Sequence, residues 1–505
     1  MCVRCHLALA AILFSCVFAS ARSTPGRTAS QTNSSSSSIV TVSTHSSAAK
    51  ELFEKGMTDF VKEKTEPALQ SWRAAAAKDP RCAFIQAFIS FATNDPAEES
   101  RARANAKRAA GCVTPGERLL IRWVVNIHED NYVTGIAAMN DLVAVYPKDK
   151  RLLYLAGHWL LGQKSFDPAK SLLQRALAID SKYPAALSDL GKIYAAMGDF
   201  QRAFAAMERC VDLLPKEPTP QHGYAEILRK GGDFQGALEH YRAALKLDPG
   251  FRPAQLGIAD TYALMGEEET ARKEYGVAIR SATNDGERIE YEVQSALTYV
   301  REGKYGKANA AFSGIAEHAL DAHLGRLEAK AYRIAATYQP DNAEALRFAG
   351  RAQSALQKNE GISEADLQEE RAQILELGAI RNAALGRVQT SHELLGQLSH
   401  LADNSRAANI EHAYHRAAGS VSVLEHKEAE AILHLEEDDG NPYSMQQLVL
   451  AYNKTGAADK AHALELRIAA INEPTVEQAL VVPGLRAKLA ATKKRRTWLS
   501  KIVQH

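Results

Sequence analysis

The chain of 505 residues lacks an excess of charge of either sign. Its 61 Lys and Arg residues face 60 Asp and Glu residues, which gives a formal net charge of +1. Proteins that bind nucleic acid neutralise phosphates with clustered Lys and Arg, so this balance predicts no nucleic-acid partner. Beyond the N-terminus the sequence also has no apolar run long enough to span a bilayer.

Motifs that carry chemistry are missing as well. The sequence has no glycine-rich phosphate loop, nucleophile elbow or kinase motif set. His392-Glu393 begins like the H-E-x-x-H motif of zinc proteases, but Gly396 stands where the second histidine is required. We therefore expect no catalytic residue and no cofactor. An enzyme of an unfamiliar type is the weakest hypothesis.

Cysteine is scarce in the body of the chain. Three of the six cysteines precede residue 22, which leaves Cys82, Cys112 and Cys210. Cys82 begins one predicted helix and Cys112 ends the next, so an antiparallel hairpin would bring the two thiols together. A disulfide there would suit an oxidising compartment, and free buried thiols are the alternative. Cys210 takes a small position in the predicted core.

The N-terminus has the features of an export signal. Arg4 supplies a positive charge, residues 7–18 form an apolar run, and Ala19-Ser20-Ala21 is a small-x-small cleavage site. We expect residues 1–21 to be a signal peptide cleaved after Ala21, and the protein to be periplasmic or associated with the outer membrane of a bacterium. The haem-attachment pattern C-x-x-C-H at residues 2–6 falls within this leader, so no haem is expected.

A lipoprotein signal is the alternative interpretation of the leader. Residues 13–16 resemble a lipobox that ends at Cys16, although the bulky Phe14 is unusual there, and lipidation would anchor the protein to a membrane. Residues 22–48 are rich in Ser and Thr, with five consecutive serines from Ser34. This composition predicts a flexible linker.

Helical hairpins repeat every 34 residues in the body of the chain. Four consecutive units begin at Lys150, Pro184, Pro218 and Arg252. Each has two amphipathic stretches around a turn. Glycines in the turns of the last three units, Gly198, Gly232 and Gly266, are expected to supply a positive φ. In the first unit, Asp167 followed by Pro168 is typical of an N-cap and a first helical residue.

Small and large residues recur at fixed positions of these units. The small positions are Gly157, Gly191, Ala225 and Ala259 in the first helices, and Ala169, Ala203, Ala237 and Ala271 in the second helices. Antiparallel helices approach closely only where side chains are small. The large positions are Leu160, Tyr194, Leu228 and Tyr262, which we expect to fill the spaces between neighbouring pairs.

This alternation, with a closing proline such as Pro215 or Pro249, resembles the tetratricopeptide repeat family. The resemblance covers roughly residues 49–475 and implies an all-α, right-handed α-solenoid of antiparallel helix pairs. The changing period predicts degenerate hairpins over 49–149, a regular array over 150–322, irregular hairpins over 323–483 and a basic capping segment over 484–505. The chain is also similar to exported bacterial repeat proteins.

In that family the first helices line a concave surface, where extended peptides or partner helices bind. The resemblance places nine candidate partner-binding residues there: Tyr154, His158, Ser188, Lys192, His222, Glu226, Arg229, Leu256 and Asp260. The lysine–asparagine clamp with which some members hold C-terminal carboxylates is absent, since other residues stand at its positions. Chaperone-tail binding is therefore disfavoured.

The last third of the chain is rich in histidine. Six of the sixteen histidines lie between residues 392 and 434: His392, His400, His412, His415, His426 and His434. Their loose spacing is typical of solvated helix faces, and a metal site assembled from separate helices is the alternative. Residues 436–439 are acidic and are expected to form a solvated turn. The basic residues 493–496 indicate the solvated end of a capping helix or, alternatively, a contact with anionic lipid.

The sequence as a whole predicts a non-catalytic scaffold or adaptor in the cell envelope. Its expected partner is a protein or an extended peptide bound on the concave surface. The alternative is a small-ligand or metal-binding protein that uses the histidine-rich region 392–434. Membrane contact is expected only through a lipid at Cys16 or through the basic C-terminus.

Overall fold

The computed structural model describes residues 39–503 except 63, 94, 111–112, 130, 359–361 and 406, and for residues 96, 358 and 493–503 it describes the backbone alone. The predicted signal peptide, its cleavage site after Ala21, Cys16 and Cys112 therefore lie outside the described residues, as do the side chains of the basic residues 493–496.

The described residues form twelve consecutive helical hairpins and a final long helix. The first helices of the hairpins are α1 (Ser47–Phe60), α3 (Ala83–Ala92), α5 (Pro115–His128), α7 (Lys150–Gly162), α9 (Pro184–Ala196), α11 (Pro218–Gly231), α13 (Arg252–Met265), α15 (Asp285–Arg301), α17 (Gly325–Tyr338), α19 (Glu364–Ala384), α21 (Ala408–Leu424) and α23 (Pro442–Lys454). The second helices are α2 (Thr65–Lys78), α4 (Pro96–Ala109), α6 (Tyr132–Val145), α8 (Phe166–Ile179), α10 (Phe200–Leu213), α12 (Phe234–Leu247), α14 (Glu268–Ser281), α16 (Tyr305–Asp321), α18 (Asn342–Lys358), α20 (Val388–Asp403), α22 (Glu428–Leu435) and α24 (Ala458–Ala469). The chain ends with α25 (Val476–Val503).

The predicted unit boundaries are confirmed in the central array, α7–α14. Its four first helices begin at Lys150, Pro184, Pro218 and Arg252, the residues at which the 34-residue period places them. Gly198, Gly232 and Gly266 have φ values of 78°, 86° and 82°, a region that L side chains rarely adopt.

One detail of the first central unit differs from the prediction. Helix α8 begins at Phe166 with Ser165 as its N-cap, so Asp167 lies inside the first turn and Pro168 is the third helical residue. Lys164 takes the positive φ, 55°, that glycine supplies in the other turns. Because a left-handed residue two positions before the helix sets the direction of the chain, the helix begins earlier than the Asp-Pro pair suggests.

The small positions bring paired helices into contact. A Cβ on Gly157 would lie 2.8 Å from Cγ of Leu173, and one on Gly191 would lie 2.8 Å from Sδ of Met207. These distances are shorter than ordinary van der Waals contacts, so the helices pack closely only without a side chain there. The alanines at the other small positions are fully buried.

The helices form a curved array with its first helices inside. From α7 to α23, each first helix packs against the next first helix, whereas successive second helices do not pack closely in the described part of the chain. The side on which neighbours approach one another is the concave side. We call the surface formed by the first helices the inner face. None of the described helices is long and apolar enough to cross a membrane.

The hairpins continue through the C-terminal half, where the sequence period is lost. The pairs α17/α18 and α19/α20 pack as closely as those of the central array, but α18 has 17 residues and α19 has 21. Changing helix lengths remove the 34-residue period without removing the pairing. Helix α25 runs across the predicted boundary between residues 483 and 484 as one continuous element.

Candidate functional site

The nine predicted partner-binding residues fall into two groups on the inner face. Four have at most 6% of their surface exposed: Tyr154, Ser188, Arg229 and Asp260. Five are half-buried or exposed: His158, Lys192, His222, Glu226 and Leu256. The first group supports the wall of the array, and the second reaches its surface.

Arg229 and Asp260 form a buried ion pair between α11 and α13. Arg229 Nη1 lies 3.0 Å from Asp260 Oδ2, and the Tyr275 hydroxyl donates to Asp260 Oδ1 at 2.6 Å. Burial and the neighbouring Asp260 carboxylate raise the pKa of Tyr275 well above its ordinary value, so the phenol remains a hydrogen-bond donor. Removing one partner of such a pair would leave an uncompensated charge. These residues therefore join two successive units.

His158 and Lys192 are both held by Asp189, a residue that the sequence analysis did not single out. His158 Nδ1 lies 2.7 Å from Asp189 Oδ2, and Lys192 Nζ lies 3.2 Å from Oδ1. Asp189 itself is 1% exposed. Burial alone would raise its pKa, but the hydrogen bond from His158 and the charge of Lys192 lower the pKa instead. The buried Asp189 carboxylate thus orients two side chains of the inner face. Its place next to the predicted Ser188 was the only sign of this role in the sequence.

His222 lies between two aromatic rings one unit further on. Its ring centroid is 5.6 Å from that of Tyr241 and 5.7 Å from that of Phe251, and its Nδ1 is 4.0 Å from Glu226 Oε2. The Tyr241 hydroxyl and Arg229 Nε are buried without a hydrogen-bond partner among the described residues. This part of the inner face thus combines apolar area with polar groups, the combination typical of a binding surface.

Residues 39–45 pack along the N-terminal ends of the first helices α3, α5 and α7. Val40 and Val42 are 3% and 6% exposed, while Ile39, Thr41 and Ser43, which alternate with them along the chain, are exposed. This period of two is typical of an extended segment with one side buried. The predicted flexible linker over 22–48 is thus wrong for its described end, because the two valines bury apolar area against the array.

Three carboxylates at the starts of successive hairpins receive this segment. The Thr44 hydroxyl donates to Asp79 Oδ2 at 2.6 Å, the Ser43 N–H donates to Glu117 Oε1 at 2.6 Å, and the Val40 N–H donates to Asp149 Oδ2 at 2.9 Å. Arg151 completes the contact by donating to the Val40 carbonyl oxygen at 2.6 Å. Hydrogen bonds to charged groups are among the stronger ones in proteins. The alternation of valine in a Ser/Thr-rich stretch was the signal that could have found the segment.

The first hairpin also folds back over the central array. The Phe60 ring lies 6.0 Å from the ring of Tyr154 and 6.3 Å from that of His158. Lys64 Nζ forms an ion pair with Glu217 Oε2 at 2.8 Å. Tyr154 is therefore covered by the N-terminal hairpin and is not exposed on the inner face as the sequence suggested.

The C-terminal segment packs against the C-terminal ends of the first helices α11 and α13. Asn472 Nδ2 donates to the Lys230 carbonyl oxygen at 3.2 Å, and Lys230 Nζ pairs with Glu473 Oε1 at 2.9 Å. Arg486 donates to the Leu264 carbonyl oxygen at 3.3 Å and to Asn472 Oδ1 at 2.5 Å. From there α25 packs against α15, α17, α23 and α24, with Val481 and Val482 buried. Both chain ends thus pack against the ends of first helices and leave the middle of the inner face exposed. We call His158, Lys192, His222 and Glu226 the open stretch.

The predicted pairing of Cys82 with Cys112 stays a prediction, since Cys112 lies outside the described residues. Cys82 is buried, and its Sγ lies 3.6 Å from the carbonyl oxygen of Ser43. Burial is the main cause that raises the pKa of Cys82 to about 11. The thiol is therefore protonated at neutral pH and packs beneath the N-terminal segment. Cys210 is fully buried, as predicted.

The histidine-rich region is spread over two hairpins, α19/α20 and α21/α22. His392 Nε2 pairs with Glu425 Oε1 at 2.6 Å, His400 contacts Asn404, and His426 lies in a turn with a φ of 60°. His415 and His434 alone among these six meet across a described hairpin, α21/α22. No group of three or more His, Cys, Asp or Glu residues within the described ranges is placed to hold a metal ion.

The acidic residues 436–439 do not form a wholly solvated turn. They include a short 3-10 helix (Glu436–Asp438), and Asp438 is 5% exposed. Its Oδ2 accepts hydrogen bonds from Arg416 Nη1 at 2.8 Å and from the Ser444 hydroxyl at 2.5 Å. The prediction was wrong for Asp438 because an arginine from α21, distant in sequence, compensates its charge.

Among the solved structures similar to this chain, two are described as tetratricopeptide repeat proteins. A tetratricopeptide repeat protein from Parabacteroides merdae is 14% identical, with 54% of this chain and 93% of that chain covered and a TM-score of 0.34. YrrB, described as a TPR protein with an unusual peptide-binding site, is 17% identical over 42% of this chain and 96% of that chain, with a TM-score of 0.28. The Cut9–Hcn1 hetero-tetramer of the APC/C is 17% identical over 82% and 76%, with a TM-score of 0.35. At these TM-scores the similarities carry no argument about function.

A comparison with curated proteins gives no match. The family model for the tetratricopeptide repeat matches residues 160–219 and 228–291. These ranges fall on the hairpins whose boundaries, small positions and turn glycines follow the 34-residue period. Residues 160–219 and 228–291 are thus similar to tetratricopeptide repeats, and they belong to an all-α array of helical hairpins that runs through the described residues.

Proposed function

We propose that this protein is a non-catalytic adaptor that binds an extended segment of a partner protein along the open stretch of its inner face. Tetratricopeptide repeats support a role as a protein-interaction scaffold. The location of the binding surface, the nature of the ligand and the cellular compartment are our proposals.

The observation that carries the proposal is the packing of residues 39–45. The N-terminal ends of the first helices α3, α5 and α7 already hold one extended segment, through two buried valines and three carboxylates that accept hydrogen bonds from it. Recognition of this kind takes affinity from backbone groups and specificity from alternate side chains. The same wall continues into the open stretch, where side chains reach the surface and buried carboxylates such as Asp189 lie behind them.

The open stretch indicates the chemistry of the ligand. Lys192 and His158 are tied to the buried Asp189, so they present a fixed edge of positive or hydrogen-bonding character, while Glu226 offers a carboxylate beside His222. The rings of Tyr241 and Phe251 supply apolar area next to His222. A segment with alternating apolar and polar residues and at least one charge of each sign would match this surface.

Two further parts of the proposal depend on the sequence. The leader over residues 1–21 supports export to the cell envelope, with an anchor at Cys16 as the alternative to cleavage after Ala21. On the inner face, His158 and Lys192 are bonded to Asp189 and Arg229 is bonded to Asp260. This pairing supports a non-catalytic role, because a catalytic group must instead be within reach of a substrate atom.

Site-specific photocrosslinking in the native cell envelope tests the proposal. A photoreactive residue in place of Lys192 or of Glu226 is expected to capture the same partner. The matched control is the same residue at Lys273 or Glu269, an exposed ion pair on the second helix α14, where side-chain exposures are 72% and 79%. Equal capture from both faces, or capture from the control face alone, would overturn the assignment to the open stretch.

A further inference from the structure

The hairpin α21/α22 brings two histidines from the C-terminal third into direct contact. His415 Nδ1 and His434 Nδ1 are 3.1 Å apart. The ring of Tyr414 lies 5.4 Å from that of His415 and 5.6 Å from that of His434, and so packs against both. At this distance a protonated nitrogen of one ring can donate a hydrogen bond to the unprotonated nitrogen of the other, or two unprotonated nitrogens can bind one metal ion.

The separation fits two neighbouring ligands of a single metal ion. Imidazole nitrogens bind Zn²⁺ at about 2.0–2.1 Å, and with bonds of that length a nitrogen–nitrogen distance of 3.1 Å corresponds to an angle of about 98° at the metal. That angle lies between about 90° for neighbouring square-planar ligands and about 109° for tetrahedral ones.

The surroundings favour the unprotonated rings that a metal requires. Burial lowers the pKa of both histidines, and for His415 the neighbouring His434 lowers it further. The charged groups around the pair include the carboxylates of Glu430, Glu437 and Asp438. Asp438 is engaged by Arg416 and Ser444, whereas Glu430 and Glu437 are exposed on either side of His434.

We propose that His415 and His434 form a two-histidine site for a divalent transition-metal ion, independent of the partner-binding surface. Imidazole ligands suit copper, nickel and zinc, and among these Cu(II) binds a given nitrogen site most tightly. Water would fill the remaining positions, since no third His, Cys, Asp or Glu among the described residues is placed to bind the same ion. Because the site lies on one hairpin, a bound ion ties α21 to α22.

The test is Cu(II) binding by the full chain, followed by calorimetry and pulsed EPR. All variants carry serine at Cys2, Cys5 and Cys16, so that thiols of the leader neither bind nor reduce the ion. The chain that carries only these three serines should bind one Cu(II), and its pulsed EPR spectrum should show two imidazoles coupled to the ion. His415→Gln and His434→Gln should each weaken this binding at least tenfold and leave at most one imidazole coupled.

The matched control is His392→Gln, since His392 is also held by a residue outside its own helix, but by Glu425 and not by a second histidine. It should keep the affinity and the two-imidazole spectrum. Circular dichroism checks that each variant keeps its helix content. A chain that binds Cu(II) equally well with and without His415, or that shows a single imidazole before any histidine is replaced, would overturn the proposal. The spectrum of the unsubstituted pair decides the question even if a variant misfolds.

Discussion

In the central array, α7–α14, every helix has 13 or 14 residues, whereas the helices from α15 to α21 have 14 to 21. Both regions pair their helices in the same way. They differ in what covers the inner face: the first helices of the C-terminal half enclose the buried start of α25, while the open stretch belongs to the central array. A solenoid therefore keeps a free inner face only where the chain does not return to it.

The largest effect is expected from Val482→Asp. Val482 is fully buried at the start of α25, so the substitution removes apolar area and buries a carboxylate without a partner. We expect a loss of about 3–5 kcal/mol in the stability of the C-terminal half. Hydrogen exchange should rise in α15, α17 and α23 and much less in α7–α11, because repeat proteins transmit stability mainly between neighbours. Leu466→Asp, at a position 52% exposed, is the control; an equal rise in all helices would show that the two regions unfold as one.

Gly257→Ala should affect the central array in turn. A Cβ on Gly257 would lie 2.3 Å from Cε1 of Tyr241, a fully buried ring that has no room to withdraw. The expected destabilisation is about 2 kcal/mol, measured by denaturant unfolding. Gly276→Ala on α14 meets only the end of the Arg280 side chain at 3.4 Å. This control should be neutral or stabilising by up to about 1 kcal/mol; similar losses from both variants would contradict the packing argument.

Arg486→Ala tests whether the C-terminal segment holds the central array and the C-terminal half together. The side chain donates to the carbonyl oxygens of Leu264 and Ala469 and to Asn472 Oδ1, so its loss should loosen the end of α13 from α25 at a cost of about 1–2 kcal/mol. Hydrogen exchange near Leu264 is the measurement. Lys488→Ala removes an exposed ion pair with Glu465 and should leave that exchange unchanged. No difference between the two variants would mean that Arg486 does not hold the two regions together.

The smallest effect concerns pH at the junction of the two regions. Burial raises the pKa of Glu268 to about 7, and its Oε2 has no hydrogen-bond partner among the described residues. A carboxyl whose pKa is higher in the folded state stabilises the fold when protonated, and that contribution is lost as the pH rises from about 4.5 through 7. Glu268→Gln should therefore equal the parent at pH 4 and exceed its stability by roughly 1 kcal/mol at pH 8. Thermal unfolding of the variant and the parent at pH 4 and pH 8 measures this difference. The control Glu269→Gln, at an exposed position, should not gain stability over the parent as the pH rises.

The pattern of small residues and turn glycines predicted the central array closely. Gly157 and Ala169 were recognised because helix contact leaves no space for a side chain, a local requirement that recurs in every unit. Past Asp321 the same requirement persists, but the helices change in length, so a search by period could predict hairpins there only loosely.

The sequence predicted the helices on which the candidate residues lie but not the exposure of their side chains, and their role in binding stays a prediction. His158, Lys192, His222 and Glu226 reach the surface as expected, whereas Tyr154 is covered by Phe60 and Arg229 is engaged by Asp260. Each of these two contacts joins residues at least 31 positions apart in the chain. Helical spacing indicates which face a residue occupies, but it carries no information on what packs against that face.

The sequence by itself determined the hairpin, its 34-residue period and the face on which each helix meets its partner, because these depend on side-chain size and turn geometry within one unit. Only the tertiary structure decided which part of the inner face stays open. Val40, Asn472 and Arg486 contact residues 109 to 242 positions away. Contacts of that range depend on the accumulated curvature of many units, and no single unit encodes it.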